Sequence, residues 1–293
     1  MRTGFTFKGR HSSEFGMTMA TKSRPILPEQ RSSMIDLPGH DGSLDYAYMN
    51  DYGRAMYMNR TFTIVLHAAA QDIYELQQKI ARVGAWLSGS GELLFDDLPE
   101  VIWEAAVKGS IDYAPELHGQ KALLTVNFEV QPFSHATFGT DEGPQIGMDI
   151  PIGSDIPIGM DEVMIFTGSG NADLEVYNYG TAPVRPVIEV SDSSGKLSNG
   201  WSISCGEKTI VISAHSNAAS LYRLDLEHYE LKARLLSGTW MNVLGALSGQ
   251  FFELAPGINT LRFSFNDNVN YSIKISYVPE FIYGADFGGD EDA

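Results

Sequence analysis

At 293 residues, with 43% hydrophobic and 19% charged content, this is a folded chain long enough for two domains, each able to bury a core without staples. The net charge of −17 is spread so that no segment is basic: residues 1–139 carry 12 basic and 16 acidic groups, residues 140–162 none and 6, and residues 163–293 carry 8 and 15, which argues against a DNA- or RNA-binding face. The single cysteine, Cys205, excludes an internal disulfide and a multi-cysteine zinc site. No signal peptide opens the chain and no run reaches the ~18 apolar residues of a membrane span, so a soluble protein made in the cytoplasm is expected.

Short alternating segments open the chain. Phe5 and Phe7 share one strand face, Met17 and Met19 another. Pro25 and Pro28 make residues 24–30 an edge or loop, and Pro38-Gly39-His40-Asp41-Gly42 is a turn that suits a hairpin. Residues 60–67 alternate cleanly, with Phe62, Ile64 and Leu66 on one side. The 3, 4, 3, 4 spacing of Ile73, Leu76, Ile80, Val83 and Leu87 then predicts a helix with one apolar stripe. Asp72 and Glu75 form a capping-box-like start, and Ser88-Gly89-Ser90-Gly91 ends it. Strands are expected at 92–95, 101–108 and 122–131, with Asp96 and Asp97 in a turn or alternating across a strand.

Residues 139–162 read as an acidic linker with a six-residue Ile-Pro-Ile-Gly-x-Asp repeat. The regular prolines forbid a helix, and acids six residues apart in an extended chain are too far apart for a calcium loop. Eight strands are expected beyond it, at 174–177, 186–190, 201–204, 209–213, 221–226, 251–254, 259–265 and 272–278, separated by turn signals such as Asn178-Tyr179-Gly180 and Asn199-Gly200. That spacing predicts a sandwich or jelly roll. The fold class is therefore mainly β: an N-terminal β domain with one packed helix (α+β) over 1–138, and a C-terminal β-sandwich over 163–293.

No catalytic arrangement stands out. There is no nucleophile elbow and no phosphate-binding loop, and the seven histidines show no metal-ligand spacing, so no catalytic residue, metal or cofactor is assigned. Trp201 and Trp240 are candidate sugar-stacking residues, with a large core residue as the plainer reading of each.

The opening Phe5-Thr6-Phe7-Lys8-Gly9-Arg10-His11-Ser12-Ser13-Glu14-Phe15-Gly16-Met17, the Pro38-Gly39-His40-Asp41-Gly42 turn followed by Leu44-Asp45-Tyr46, Trp86 late in the helix, Leu94-Phe95-Asp96-Asp97-Leu98-Pro99-Glu100 and Phe128-Glu129-Val130-Gln131-Pro132-Phe133, taken in that order, resemble phage distal tail proteins over residues 1–138. His40 stands where that family usually has arginine. Residues 178–188 and 252–261 look like the galectin-like sandwich that often follows. The resemblance implies a non-enzymatic virion component, from a phage or prophage, assembled in the bacterial cytoplasm. It implies a homo-hexameric ring at the tail tip, with the Pro38–Gly42 hairpin turn at the ring interface. The ring would join the tail tube protein to a tail-tip lysin or tail-associated protein, support receptor-binding or baseplate proteins, and let DNA pass its lumen unbound. The alternative is a carbohydrate-binding module that recognises the host surface.

Overall fold

The computed structural model describes residues 4–39, 41–48, 50, 53–54, 56–116, 120–137 and 164–285. The repeat at 139–162, His40, His118 and the acidic tail from Gly288 lie outside the described residues. The chain divides into two compact units. The first comprises Met1–Tyr48, Arg54–Thr137 and Phe281–Ala285, and the second is described over residues 164–280.

The first unit holds β1 (Phe5–Phe7), β2 (Arg10–His11), β3 (Met17–Ser23), β4 (Met34–Asp36), β5 (Ser43–Asp45), β6 (Arg60–Ala69), α1 (Ile73–Leu87), β7 (Ser90–Phe95), β8 (Leu98–Val107), β9 (Asp112–Glu116), β10 (Lys121–Val130) and β11 (Ser134–Ala136). Its large sheet runs β2-β1-β7-β8-β10-β6-β3, with β9 added on β10 and β11 on β8. The long β6–β10 pair explains the register. Phe62 faces Phe128, Ile64 faces Val126 and Leu66 faces Leu124, so every apolar partner lands on the inner face, and a one-residue slip would turn all of them to water. Phe5, Phe7, Phe95 and Trp103 complete this fully buried core.

The helix covers that core with Leu76, Val83, Trp86 and Leu87. Trp86 stacks 5.5 Å from Phe5, and its Nε1 donates to the Phe7 carbonyl at 2.9 Å. The expected stripe needs one correction. Ile73, in the first turn, is exposed. Asp72 caps the helix by accepting from Glu75 N at 2.8 Å, whereas Glu75 reaches back to Gln71 N rather than to the cap residue itself. Those donors, Gln71 N–H first and Lys79 second, hold the Glu75 carboxyl below the usual range.

The second unit is a sandwich of two antiparallel sheets. It contains β12 (Met164–Ser169), β13 (Ala172–Asn178), β14 (Val187–Ser191), β15 (Trp201–Cys205), β16 (Lys208–Ile212), β17 (Ala219–Asp225), β18 (Glu230–Leu235), β19 (Trp240–Asn242), β20 (Leu247–Gly249), β21 (Gly257–Phe265) and β22 (Asn270–Ser276). The six-stranded sheet runs β12-β22-β14-β17-β18-β19 and the five-stranded one β13-β21-β15-β16-β20. Strict in-out burial along β13 and β21 places one side of each strand in the shared core. Asn178, itself buried, fastens a turn: its Nδ2 donates to the carbonyls of Ala182 and Leu254 at 3.0 Å each, and its Oδ1 accepts from Gly180 N at 2.9 Å. A Cβ on Gly180 would lie 2.3 Å from the Glu280 carbonyl oxygen, so the glycine is needed for close approach.

One difference from the sequence reading stands out here. The expected strand at 251–254 is irregular chain, with Leu254 joined to Val184 by a single bridge; its apolar alternation reflects the burial of Phe252 and Leu254 rather than a ladder. Cys205 is only half-buried, beside the core, and burial raises its thiol above the usual pKa despite nearby Lys208.

After the second unit the chain returns to the first. β23 (Glu280–Phe281) pairs with β11. Phe281 is fully buried, and Ser134 Oγ donates to the Phe281 and Tyr283 carbonyls at 3.2 and 2.9 Å. Sequence assigned residues 281–285 to the C-terminal domain. Nothing local marks a segment whose partners lie about 147 residues earlier.

Candidate functional site

Between β3 and β6 the first unit extends an arm. Its base is a short ladder, in which Arg31 N and Met58 N donate to the carbonyls of Met56 and Glu29 at 2.7 Å each and Gln30 bridges to Tyr57. Beyond it, β4 and β5 form a two-stranded sheet of their own, paired Met34–Asp45, Ile35–Leu44 and Asp36–Ser43. The turn between them spans residues 37–42, longer than the tight two-residue hairpin that Asp-Gly suggested. Gly39 and Gly42 both sit at φ +81°, in the left-handed region where a side chain is strained.

Side chains knit the arm together. Asp45 Oδ1 accepts from Ser33 N at 3.0 Å and Ala47 N at 2.9 Å, and those two backbone donors, Ala47 first, hold its carboxyl below the usual range. Asp36 Oδ1 accepts from Ser43 Oγ at 2.6 Å. At the root, Arg60 is buried, and its Nη1 donates to the Pro25 and Ile26 carbonyls at 3.2 and 3.0 Å. Burial lowers its pKa to about 10. Arg24 lies 4.5 Å above the Phe95 ring and donates to Asp97 at 2.8 Å, and Lys22 pairs with the same carboxylate.

The surface of this arm is its unusual property. Ile26 is 69% exposed, Leu27 61% and Met34 61%, and Ile35, Leu37, Leu44, Tyr46 and Met58 are also exposed. Eight of the twenty large hydrophobics exposed among the described residues thus fall within residues 26–58. Met34 and Ile35 are adjacent in one strand, so both faces of the hairpin carry apolar groups. A two-stranded hairpin is marginal alone in water, and a contiguous apolar surface marks an interaction site. Pro38, Gly39, Asp41 and Gly42 form the exposed tip. Sequence reasoning found this turn but missed the apolar run on either side of it, because apolar residues flanking a turn ordinarily mean core.

The two tryptophans are not brought together. Trp201 is 2% exposed and packed among Tyr222, Phe263 and Phe265, so its ring cannot be offered to a sugar, which corrects that expectation. Trp240 is 47% exposed, on the edge strand of the other sheet.

One arrangement resembles catalytic machinery. His11 Nε2 lies 3.1 Å from Asp96 Oδ1, and its Nδ1 lies 2.6 Å from Ser13 Oγ. However, Nδ1 also accepts from Ser13 N at 3.2 Å, and Glu14 Oε1 accepts from His11 N, which makes the group the cap of the short 3-10 turn Ser12–Phe15. The neighbouring groove, a cavity of about 500 Å³, is lined by Arg10, Phe15, Lys79, Arg82 and Trp86 and by neither Ser13 nor His11. Among the described residues no group of three or more His, Cys, Asp or Glu is placed to hold a metal ion, and no helix is long and apolar enough to cross a membrane.

No family model matches the chain, and no curated protein matches it. Among solved structures it is similar to the SPP1 Dit protein, described as a paradigm of the hub adsorption apparatus of phages infecting Gram-positive bacteria. The TM-score is 0.62 at 14% identity, over 95% of this chain and 99% of that one. Structures of the phage P2 baseplate, in its activated conformation with calcium or strontium, match at TM-scores of 0.39 and 0.34, each at 8% identity over 94% of this chain and 98% of that one. Over nearly its whole length, therefore, the chain carries the fold of a phage tail hub protein.

Proposed function

We propose that this chain is a structural component of a phage tail tip, a hub whose first unit closes into a homo-hexameric ring that joins the tail tube to tip proteins. The observation that carries this reading is the apolar arm. Exposed on both faces, it is built to be covered by another surface, and a second copy of the chain is the occupant that the hub fold suggests. A ring needs a head-to-tail contact in which two different patches meet. The arm tip at Pro38–Gly42 supplies one of them.

The solvent face of the large sheet supports the part about passing DNA. Glu92 and Glu104 are directly opposed across β7 and β8, a like-charge pair that costs stability, and Glu129, ion-paired with Lys108, lines the same depression. A face of that sign suits a lumen through which DNA moves unbound. The lysin, the tube protein and any receptor-binding or baseplate protein would be partners of the assembled ring.

Sedimentation velocity of the full chain and of a Met34→Ser/Leu37→Ser/Leu44→Ser variant tests the reading. The parent should sediment as a discrete oligomer and the variant as a monomer with unchanged melting temperature. A parent that stays monomeric at high concentration would remove the proposal.

Saccharide recognition by the second unit is the alternative. It rests on the exposed Trp240 alone, since Trp201 is core.

A further inference from the structure

The solvent face of the six-stranded sheet differs from the rest of this acidic molecule. In β18, Leu231 and Ala233 are fully buried, so Lys232 and Arg234 point outward. In β17, Tyr222 and Leu224 are buried, which turns Arg223 out, and in β22 the buried Ile273 and Ile275 turn out Lys274. Four of the eight basic residues in the stretch 163–293 thus lie on one face, together with the outward acids Glu189, Asp225 and Glu230. By contrast, the outer face of β13 and β21 in the other sheet carries Asp173 and Glu175 with Arg262.

Register brings this cationic set to the exposed tryptophan. Arg234 pairs directly with Trp240, Lys232 with Asn242, and Arg223 with Lys232. Directly opposed residues share a face with Cβ atoms about 5 Å apart, and next-nearest residues along a strand repeat at about 7 Å. Arg223 is neutralised by Glu189 at 2.9 Å and Lys232 by Glu230. Arg234 has no ion pair among the described residues, so the unneutralised arginine of this face is the one opposite Trp240 in the register.

We infer that this face binds an anionic saccharide, with Trp240 stacking on a sugar ring and Arg234 holding a phosphate, sulfate or carboxylate on the same or the next residue. This rests on the saccharide reading of the second unit and narrows it to a charged ligand. The pairing of functions is chemical. An aromatic face takes the C–H side of a pyranose, a guanidinium forks onto an oxyanion, and the Asn242 amide offers hydrogen bonds to hydroxyls. Single-stranded nucleic acid is the less favoured ligand, because it is bound by successive aromatic platforms along a basic groove and here one exposed tryptophan stands in a chain of net charge −17.

The test is calorimetric titration of the full chain with phosphorylated mannan and dextran sulfate, against mannan, dextran, long-chain polyphosphate and an oligo-dT strand. The charged polysaccharides should bind, more weakly as salt rises, and the neutral parents should not. Trp240→Ala and Arg234→Ala should each weaken binding by roughly tenfold or more, and Trp240→Phe should retain most of it. Arg262→Ala, on the opposite sheet, should change nothing. All three side chains reach the surface, and melting curves of the variants should match the parent.

Equal binding of charged and neutral polysaccharides would leave the saccharide reading standing and overturn the anionic one. Absence of binding to any polysaccharide would remove both. Polyphosphate or oligo-dT binding as tightly as the charged polysaccharides would overturn the inference in favour of an ionic or nucleic-acid surface.

Discussion

Single residues set how firmly the arm and the turns are held. Burial pushes the Asp97 carboxyl up, but Lys22 and Arg24 outweigh it and keep the folded pKa below the unfolded value. That contribution to stability is present above the unfolded pKa of about 3.9 and is lost as pH falls through the lower folded value. Denaturant midpoints measured from pH 6 down should therefore fall at acid pH. Asp97→Asn should lower the midpoint at neutral pH and flatten part of the acid slope; an unchanged slope would mean the ion pairs do not hold the root. In the second unit, Asn178→Ala leaves the buried Ala182 carbonyl without its side-chain donor and Gly180 N without its acceptor, while the Leu254 carbonyl keeps the bond from Val184 N. It should cost about 1–3 kcal/mol, read as a lower melting temperature.

The two tryptophans show what single residues reveal in sequence. Trp201 begins an apolar-polar alternation with Ser202, Ile203 and Ser204, and that parity already places it with the core. Trp240 sits in a three-residue strand flanked by Thr239 and Met241, too short for parity to decide. Its pairing with Arg234 depends on a hairpin register that sequence does not fix.

At the scale of elements, the long strands and the helix were legible because one face of each is buried. The 3, 4, 3, 4 stripe found α1, and only Ile73, in the first turn, misled. Among the strands that escaped notice, β9, β12, β18, β19 and β20 are edge or charged strands in which hydrophobic alternation is weak or short. The arm was half legible, since turn chemistry located its tip but nothing in its composition separates an apolar run awaiting a partner from one that is core. Residues 281–285 were illegible for a different reason, namely that their partners are remote in sequence. Phe281→Ala should cost about 3–5 kcal/mol. Limited proteolysis should find the loss in the first unit, although the substitution lies beyond the second. Cleavage confined to the second unit would contradict the assignment of this segment.

For the molecule as a whole, the mainly β architecture followed from periodicity and turn spacing, whereas the resemblance to phage distal tail proteins followed from ordered motifs that no single element explains. The fold likeness over 95% of the chain agrees with that ordering at only 14% identity, where topology persists after side-chain similarity has largely gone. The function proposed at this scale is assembly. An arm exposed on both faces, an opposed pair of glutamates on the large sheet and the Arg234–Trp240 pair on the second unit would each become intelligible in one subunit of a larger object.

Negative-stain electron microscopy of the purified full chain addresses that claim most directly. Closed rings of six copies with a central opening are the predicted result, and Met34→Ser/Leu37→Ser/Leu44→Ser should abolish them. Single particles without rotational symmetry, or open filaments in place of rings, would contradict it.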